Sequence, residues 1–465
     1  MSIDWPKDPV IDEALRAWGA RCDDALGSCV DSPPTRPPVT GPRRARRQPA
    51  RAAVTVAGMC ALILAGASVG VVVTRTGDDR RGLAVTSGQS SDPGAAGPTT
   101  TTGAGPGPSP ASVEVRQEEA TVSAARFVPG PGTEPCRSTP AMTEYTFPGP
   151  GLPASVAPGE DGSVWFTDSD LRSIVHLRVN GAATRYQLPE GVYPGSIARG
   201  ATGDLWFTDA ATTVDRHRGS PEPPAPNIGR LTPEGALSLF PLPTREQHHL
   251  GGPGMGSLPF AITAGPDGAM WFTEAGADQI GRITADGGIT EFPLPGRSTM
   301  HAHPTAIVTG PDGAIWFAQP LRESLGRIDV STNAISEFPL PSPGAGLTRG
   351  NALTSGPAGS LWFDDPRNAG VGRFTPGAGM ALVPLPEGSR PTAVVAGPDG
   401  NLWLIEGRRQ RVMRVTPTGT VTEFPPVVGL APVAAASPLT VASDGAVWFT
   451  TGGLNKLGRI TCGRP

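Results

Sequence analysis

The sequence predicts an all-β fold, a seven-bladed β-propeller, behind one membrane-spanning helix and a disordered linker. Three observations carry that prediction. Gly (62) and Pro (54) make up a quarter of the 465 residues and only 17% are charged, too much Gly and Pro for a mainly helical chain. An apolar residue, a Trp, and then Phe or Leu recur seven times, at Trp165, Trp206, Trp271, Trp316, Trp362, Trp403 and Trp448. Their spacings are 41, 65, 45, 46, 41 and 45, one period with a single insertion after the second copy, and a period in the forties marks a stacked repeat.

The N-terminal quarter reads as a tether. Residues 1–51 form a cytoplasmic tail, in which Asp8-Pro9 followed by Val10, Ile11, Ala14, Leu15 and Trp18 fits a short capped helix: a docking helix for a partner, or a frayed tail. Residues 52–74 carry no charge, and about 20 apolar residues suffice to cross a bilayer. Six arginines between Arg36 and Arg51 place the N-terminus in the cytoplasm by the positive-inside rule. Residues 75–135, rich in Gly, Pro, Ser and Thr, cannot bury enough apolar surface to fold and are expected to be a flexible linker.

Residues 136–465 hold the propeller, and the third copy shows its unit most fully. Ala261-Ile262-Thr263 leads into Gly265-Pro266-Asp267-Gly268, whose Pro and Gly suit a type I turn, so the first two strands pair as a hairpin. Met270 to Glu274, Ile280 to Ile283 and Ile289 to Pro295 supply the second, third and fourth strands, with Asp286-Gly287-Gly288 turning between the last two. Each unit is then a four-stranded meander with an exposed outer strand. One such meander cannot bury both faces, whereas seven in a ring can.

The ring closes by a shared blade. The seventh copy ends at Leu457 to Cys462, a third strand with no fourth, and the missing strand stands before the first copy as Met142 to Phe147. Cys136 and Cys462 flank this seam, so a disulfide between them is expected in an oxidising compartment, with two unpaired thiols as the alternative.

Charge excludes one class of partner. From Arg75 onward 29 basic residues stand against 35 acidic ones, so no broad basic face exists to neutralise a phosphate backbone, and nucleic acid is not an expected partner. The membrane and a peptide, glycan or protein ligand outside the cytoplasm are.

Candidate ligand or metal groups gather on the face bearing the connections between blades. Three residues after the repeat tryptophans stand Asp168, Asp209, Glu274, Gln319, Asp365, Glu406 and Thr451. Five are carboxylates, and hard divalent ions take such oxygens; the alternative is that each pairs with a repeat arginine or caps its own turn. His248, His249, His301 and His303 fall in two consecutive connections on the same face, where imidazoles near carboxylates would suit a metal or a general base. His217 sits in the insertion, and His176 in a third strand, where a structural role is the default.

The repeat Ile262 to Gly268, Trp271-Phe272-Thr273-Glu274, Ile280-Gly281-Arg282-Ile283 and Thr290-Glu291-Phe292-Pro293-Leu294-Pro295 resembles the virginiamycin B lyase (streptogramin lyase) family over about residues 140–462. The resemblance implies a metal-assisted elimination, with Mg²⁺ or another hard cation such as Ca²⁺, that opens the ester of a cyclic depsipeptide. It also implies a histidine as general acid/base with Glu and His nearby. Those positions fall here on Thr392, Ser437, Leu439 and Gly452, none of which can hold the proton in transit. A binding or sensing module is therefore expected, with a divergent lyase or hydrolase as the alternative.

Overall fold

The computed structural model describes residues 111–127, 141–148, 151–209, 226–243, 257–296, 301–340, 352–427, 430, 438–451 and 455–461. The expected tail, membrane span and disulfide lie outside the described residues, as do His217, His248, His249, Ser437 and Gly452. Among the described residues no helix is long and apolar enough to cross a membrane.

Four strands come first: β1 (Ala111–Glu114), β2 (Arg116–Thr121), β3 (Ser123–Phe127) and β4 (Ala141–Thr146). Blade 1 is β5 (Pro153–Pro158), β6 (Val164–Asp168), β7 (Ser173–Leu177) and β8 (Ala182–Gln187). Blade 2 is β9 (Pro194–Arg199), β10 (Leu205–Asp209), β11 (Asn227–Leu231) and β12 (Ala236–Pro241); blade 3 is β13 (Pro259–Ala264), β14 (Met270–Glu274), β15 (Gln279–Ile283) and β16 (Ile289–Pro293). Blade 4 is β17 (Ile307–Thr309), β18 (Ile315–Gln319), β19 (Ser324–Ile328) and β20 (Ile335–Pro339); blade 5 is β21 (Leu353–Gly356), β22 (Ser360–Asp365), β23 (Gly370–Thr375) and β24 (Gly379–Pro384). Blade 6 is β25 (Pro391–Ala396), β26 (Leu402–Glu406), β27 (Arg411–Val415) and β28 (Val421–Glu423), and the last segments are β29 (Leu439–Val441), β30 (Val447–Thr450) and β31 (Lys456–Thr461).

Seven antiparallel sheets result, one per tryptophan, so the expected propeller and its seven blades stand. The seventh is split as the sequence implies: β31 pairs with β4, with Ile460 opposite Met142 and Leu457 opposite Tyr145.

The repeat residues explain why each meander folds and stacks. Gly268 has φ +76°, which the hairpin turn after Asp267 requires, and a side chain there would meet nothing within 4 Å; the demand is purely conformational. Gly281 is a different case. It faces Phe272 across the ladder, and a Cβ there would lie 2.1 Å from the ring, so the third strand lacks a side chain where the second strand's aromatic lies flat. Trp271 packs with Ile307, Ile315 and Phe317 of the next blade, a fully buried contact of the kind worth about 3–5 kcal/mol on truncation to Ala. The threonine two residues after the tryptophan stitches blades: Thr273 Oγ1 accepts from Ala261 N at 3.0 Å and donates to Thr305 O of blade 4 at 2.8 Å.

One expectation is corrected. Residues 111–127, read as part of the disordered linker, form β1, β2 and β3, which add a fifth strand to blades 2, 1 and 7 respectively. The outer strands of those blades are therefore covered rather than exposed. The reason lies in local composition: Ala111 to Phe127 contains neither Gly nor Pro and is interrupted by Val113, Val115, Thr121 and Val122, so it favours extended structure inside a segment whose average does not. A row of unpaired backbone groups on each outer edge supplies its partner.

Candidate functional site

The two ends of each blade are chemically distinct. At the end carrying the first hairpin turn, Asp267 accepts from Trp271 Nε1 (3.1 Å) and from Arg282 Nε (2.7 Å), while the Arg282 guanidinium lies 5.8 Å from the centre of the Trp271 ring. Arg327 with Asp312 and Trp316 repeats the pattern, and Arg230 likewise bonds Asp204 and lies over the Trp206 ring. Burial alone would raise the Asp267 pKa, but the hydrogen bonds from Arg282 and Trp271 outweigh it and hold it below the usual carboxylate value. The repeat arginines are thus spent at this end, away from the five carboxylates of the opposite face. Blade 1 departs: His176 replaces the arginine, stacks on Trp165 at 4.1 Å and meets Ser163 Oγ at 3.0 Å. Burial, helped by Arg178, lowers its pKa to about 4, so it is neutral and structural.

At the opposite face, four of the five carboxylates cap their own turns. Asp168 Oδ1 accepts from Leu152 N and Leu171 N, both at 3.1 Å, and Asp209 accepts from Tyr193 N (2.9 Å) and Asn227 Nδ2 (3.0 Å). Asp365 binds the amide and side chain of Asn368 (3.1 and 2.8 Å), and Glu406 accepts from the backbone of Arg390, Arg408 and Arg409 at 2.8, 3.3 and 2.6 Å. Burial raises the Asp168 pKa, partly offset by its two backbone donors. Glu274 is the exception. It is fully buried, neither oxygen meets a donor within hydrogen-bonding geometry, and burial, reinforced by Glu291 and only partly offset by Ser257, pushes its pKa well above the usual value. At the two remaining positions Gln319 Oε1 accepts from Arg322 (3.4 Å) and Thr451 donates to Lys456 O (3.0 Å).

The five carboxylates are not brought together. Each serves its own blade, and among the described residues no three His, Cys, Asp or Glu side chains group so as to hold a metal ion. Four of them already accept hydrogen bonds from their own turns, and the fifth is a buried acid whose pKa burial pushes well above the usual value. They do not fit a shared Mg²⁺ or Ca²⁺.

Two histidines do meet an acidic partner. Asp278, buried in the turn between β14 and β15, accepts from Ala302 N (3.0 Å), His303 N (2.8 Å) and His301 Nδ1 (2.9 Å). His303 sits at φ +50° with its Nδ1 3.0 Å from Ala275 O, whereas the His301 side chain is 39% exposed. The sequence reading found both histidines and missed Asp278, whose place before a third strand is taken in other blades by Arg172, Glu323, Ala369, Gln410 and Asn455. That irregularity was the available signal.

Along the axis runs a cavity of about 290 Å³ lined by the inner strands. Val156, Ile197, Ile262, Ile307, Leu353, Val394 and Leu439 contribute one aliphatic side chain per blade, each paired with the residue after its tryptophan. Leu439, where the resemblance expects a histidine, belongs to this hydrocarbon ring. Thr392 stands beside it in blade 6 with its hydroxyl turned to Ile405 O at 3.4 Å.

Fold and site define a seven-bladed propeller whose axial cavity is lined by aliphatic side chains together with Arg199, Thr263, Thr354 and Thr440, and which carries a face of turn-capping acids. The virginiamycin B lyase family profile matches residues 222–352 and 347–464, more than half of the chain, and the chain belongs to that family. A catalytically inactive His-to-Ala variant of virginiamycin B lyase from Staphylococcus aureus, solved with quinupristin, superposes with a TM-score of 0.58 at 27% identity, covering 69% of this chain and 99% of that one. A streptogramin B lyase structure gives 0.57 at 28% identity, covering 69% and 97%. Virginiamycin B lyase of Nocardia farcinica is 37% identical over 70 residues, 15% of this chain and 21% of that protein, so the aligned stretch spans about a fifth of this curated relative.

Proposed function

We propose that this propeller is a ligand-binding or sensing module that has kept the lyase scaffold without its proton-transfer set. The observation that carries the reading is Leu439: a position where the family resemblance calls for a histidine is a hydrocarbon side chain among those lining the axial cavity, with Thr392, Ser437 and Gly452 at the other positions. A group that cannot take up or release a proton near neutral pH cannot serve that step. The ligand expected is peptide-like, bound over the face that carries the loops between blades, with a cyclic depsipeptide as the first compound to test.

The module works outside the cytoplasm, tethered to the membrane. Residues 52–74 form a single membrane span with a cytoplasmic N-terminus, residues 75–110 continue outside as a linker, and Cys136 and Cys462 join across the seam. Loss of a peptide bridging Cys136 and Cys462 from a non-reducing tryptic digest, on addition of reductant, checks the last of these. Its absence from the non-reduced digest counts against an oxidising location.

A second reading is favoured by one observation, the His301 imidazole held by buried Asp278 and exposed on the binding face. An imidazole oriented by a carboxylate is the arrangement of a general base. In that reading the chain retains a relocated lyase or hydrolase activity. Titration calorimetry of the full chain with a streptogramin B antibiotic, alongside chromatography of the mixture, separates the two: heat of binding with the cyclic compound recovered supports the module, and a ring-opened product lost in His301→Ala supports the enzyme.

A further inference from the structure

We propose that the outer rim of blades 7, 1 and 2 is a strand-acceptor surface for an extended peptide bearing two small β-branched side chains seven residues apart, and that residues 111–127 are its tethered ligand. The segment crosses three blades in unbroken register. Val113 lies opposite Leu237, Glu118 opposite Arg185 and Ala125 opposite Glu144, all antiparallel. Among the side chains described in this segment two are buried, seven residues apart. Val115 enters the cluster between blades 1 and 2 with Trp165, Tyr186 and Leu237, and Val122 enters the cluster between blades 7 and 1 with Tyr145, Leu177 and Trp448. From Arg116 to Glu119 the side chains are exposed. Backbone bonds for affinity and sparse pegs for register are the signature of a strand added to a finished edge.

The rim is built to receive it. Where the other five blades carry Phe240, Phe292, Phe338, Val383 and Phe424 on the outer strand, blades 7 and 1 carry Tyr145 and Tyr186. Their hydroxyls donate to Val179 O (2.9 Å) and Pro233 O (2.8 Å), which lie in the outer turns of the next blades. The same two turns accept the pegs: Val122 N donates to Gly181 O (2.9 Å) and Val115 N to Gly235 O (3.2 Å). Both glycines have positive φ, and a Cβ at Gly235 would lie 2.3 Å from Gln117 Nε2, so the turn leaves room for the added strand. Two tyrosines that fix the turns, and two turns that hold the belt, recur at the two blade junctions the belt crosses.

Hydrogen exchange on the full chain tests this. Amides in 111–127 and in β4, β8 and β12 are expected to be protected, and Val115→Asp with Val122→Asp is expected to speed exchange at all of them at least about tenfold, leaving β16, β20 and β24 unchanged as the folding control. An excess of synthetic peptide 110–128 then restores protection of β4, β8 and β12, and the same peptide with both aspartates does not. Unprotected amides over 111–127 in the parent chain would overturn the proposal, as would a parent peptide that restores nothing. If the double variant loses protection throughout, Val115→Ala with Val122→Ala replaces it. A dimer on light scattering that disappears with the double variant would assign the belt to a second copy and overturn the tethered arrangement.

Discussion

Glu274 and Glu406 occupy the same place in blades 3 and 6, three residues after a repeat tryptophan, and do opposite things. Glu406 gathers three backbone amides, from Arg390 before β25 and from the turn after β26, whereas Glu274 lies buried with no backbone amide on either oxygen. The difference comes from the neighbouring backbone. In blade 3 Leu258 adopts φ +53°, and the amides of Gly276 and Ala277, counterparts of Arg408 and Arg409, bond instead to Ser257 O and Glu274 O, so the carboxyl does not collect them. A shared repeat position thus fixes where a side chain points and leaves its hydrogen-bond partners to the loop beside it.

The largest effect should come from removing the cap that works. Glu406→Ala strands three amides at a buried site and is expected to cost about 2–3 kcal/mol in urea unfolding, with most of the loss recovered by Glu406→Gln only if one oxygen suffices. Glu274→Gln should run the other way. The folded chain holds a proton on Glu274 that the unfolded chain releases above the ordinary carboxyl value, so stability falls as pH rises from there toward the raised folded value. The variant is therefore expected to be as stable as the parent at pH 4 and more stable at pH 8, by thermal denaturation at both. A destabilised Glu274→Gln at pH 8 would mean that the carboxylate is ionised and partnered.

Asp364 sharpens the same contrast with a value attached. It stands where blades 1, 2, 3 and 7 place Thr167, Thr208, Thr273 and Thr450, accepts from Ala352 N at 2.8 Å, and burial raises its pKa to about 8. Stability should decline between about pH 4 and pH 8 on its account, and Asp364→Thr should flatten that decline and raise the melting temperature at pH 8. His176 gives the smallest and opposite signal. With its folded pKa lowered to about 4, it costs stability as pH falls from 6.5 toward 4, and His176→Gln should remove that part of the acid sensitivity.

Much of this was legible in the sequence, because the propeller depends on features that repeat. Seven tryptophans, the Gly-Pro-Asp-Gly turns and an orphan strand at each terminus imply sheet number and ring closure without any knowledge of contacts. What escaped were departures from the repeat. Residues 111–127 vanish into a linker when composition is averaged over 75–135, although Val115 and Val122 are buried between blades. Asp278 is one acidic residue at a position occupied elsewhere by unrelated side chains, and its meaning depends on His301 being folded back onto it. The axial ring of aliphatics is visible only once the inner strands are known to face one another.

The most direct test is to incubate the full chain with a streptogramin B antibiotic and Mg²⁺, follow the antibiotic by liquid chromatography with tandem mass spectrometry, and measure its association in parallel. Elimination leaves the mass unchanged, so retention time and fragmentation are the readouts. Association with the cyclic compound recovered intact is the result expected if the module proposed above, with Leu439 where the family resemblance calls for a histidine, binds without turnover. Catalytic conversion to the linear isomer, tracking protein concentration and abolished by EDTA, would contradict it.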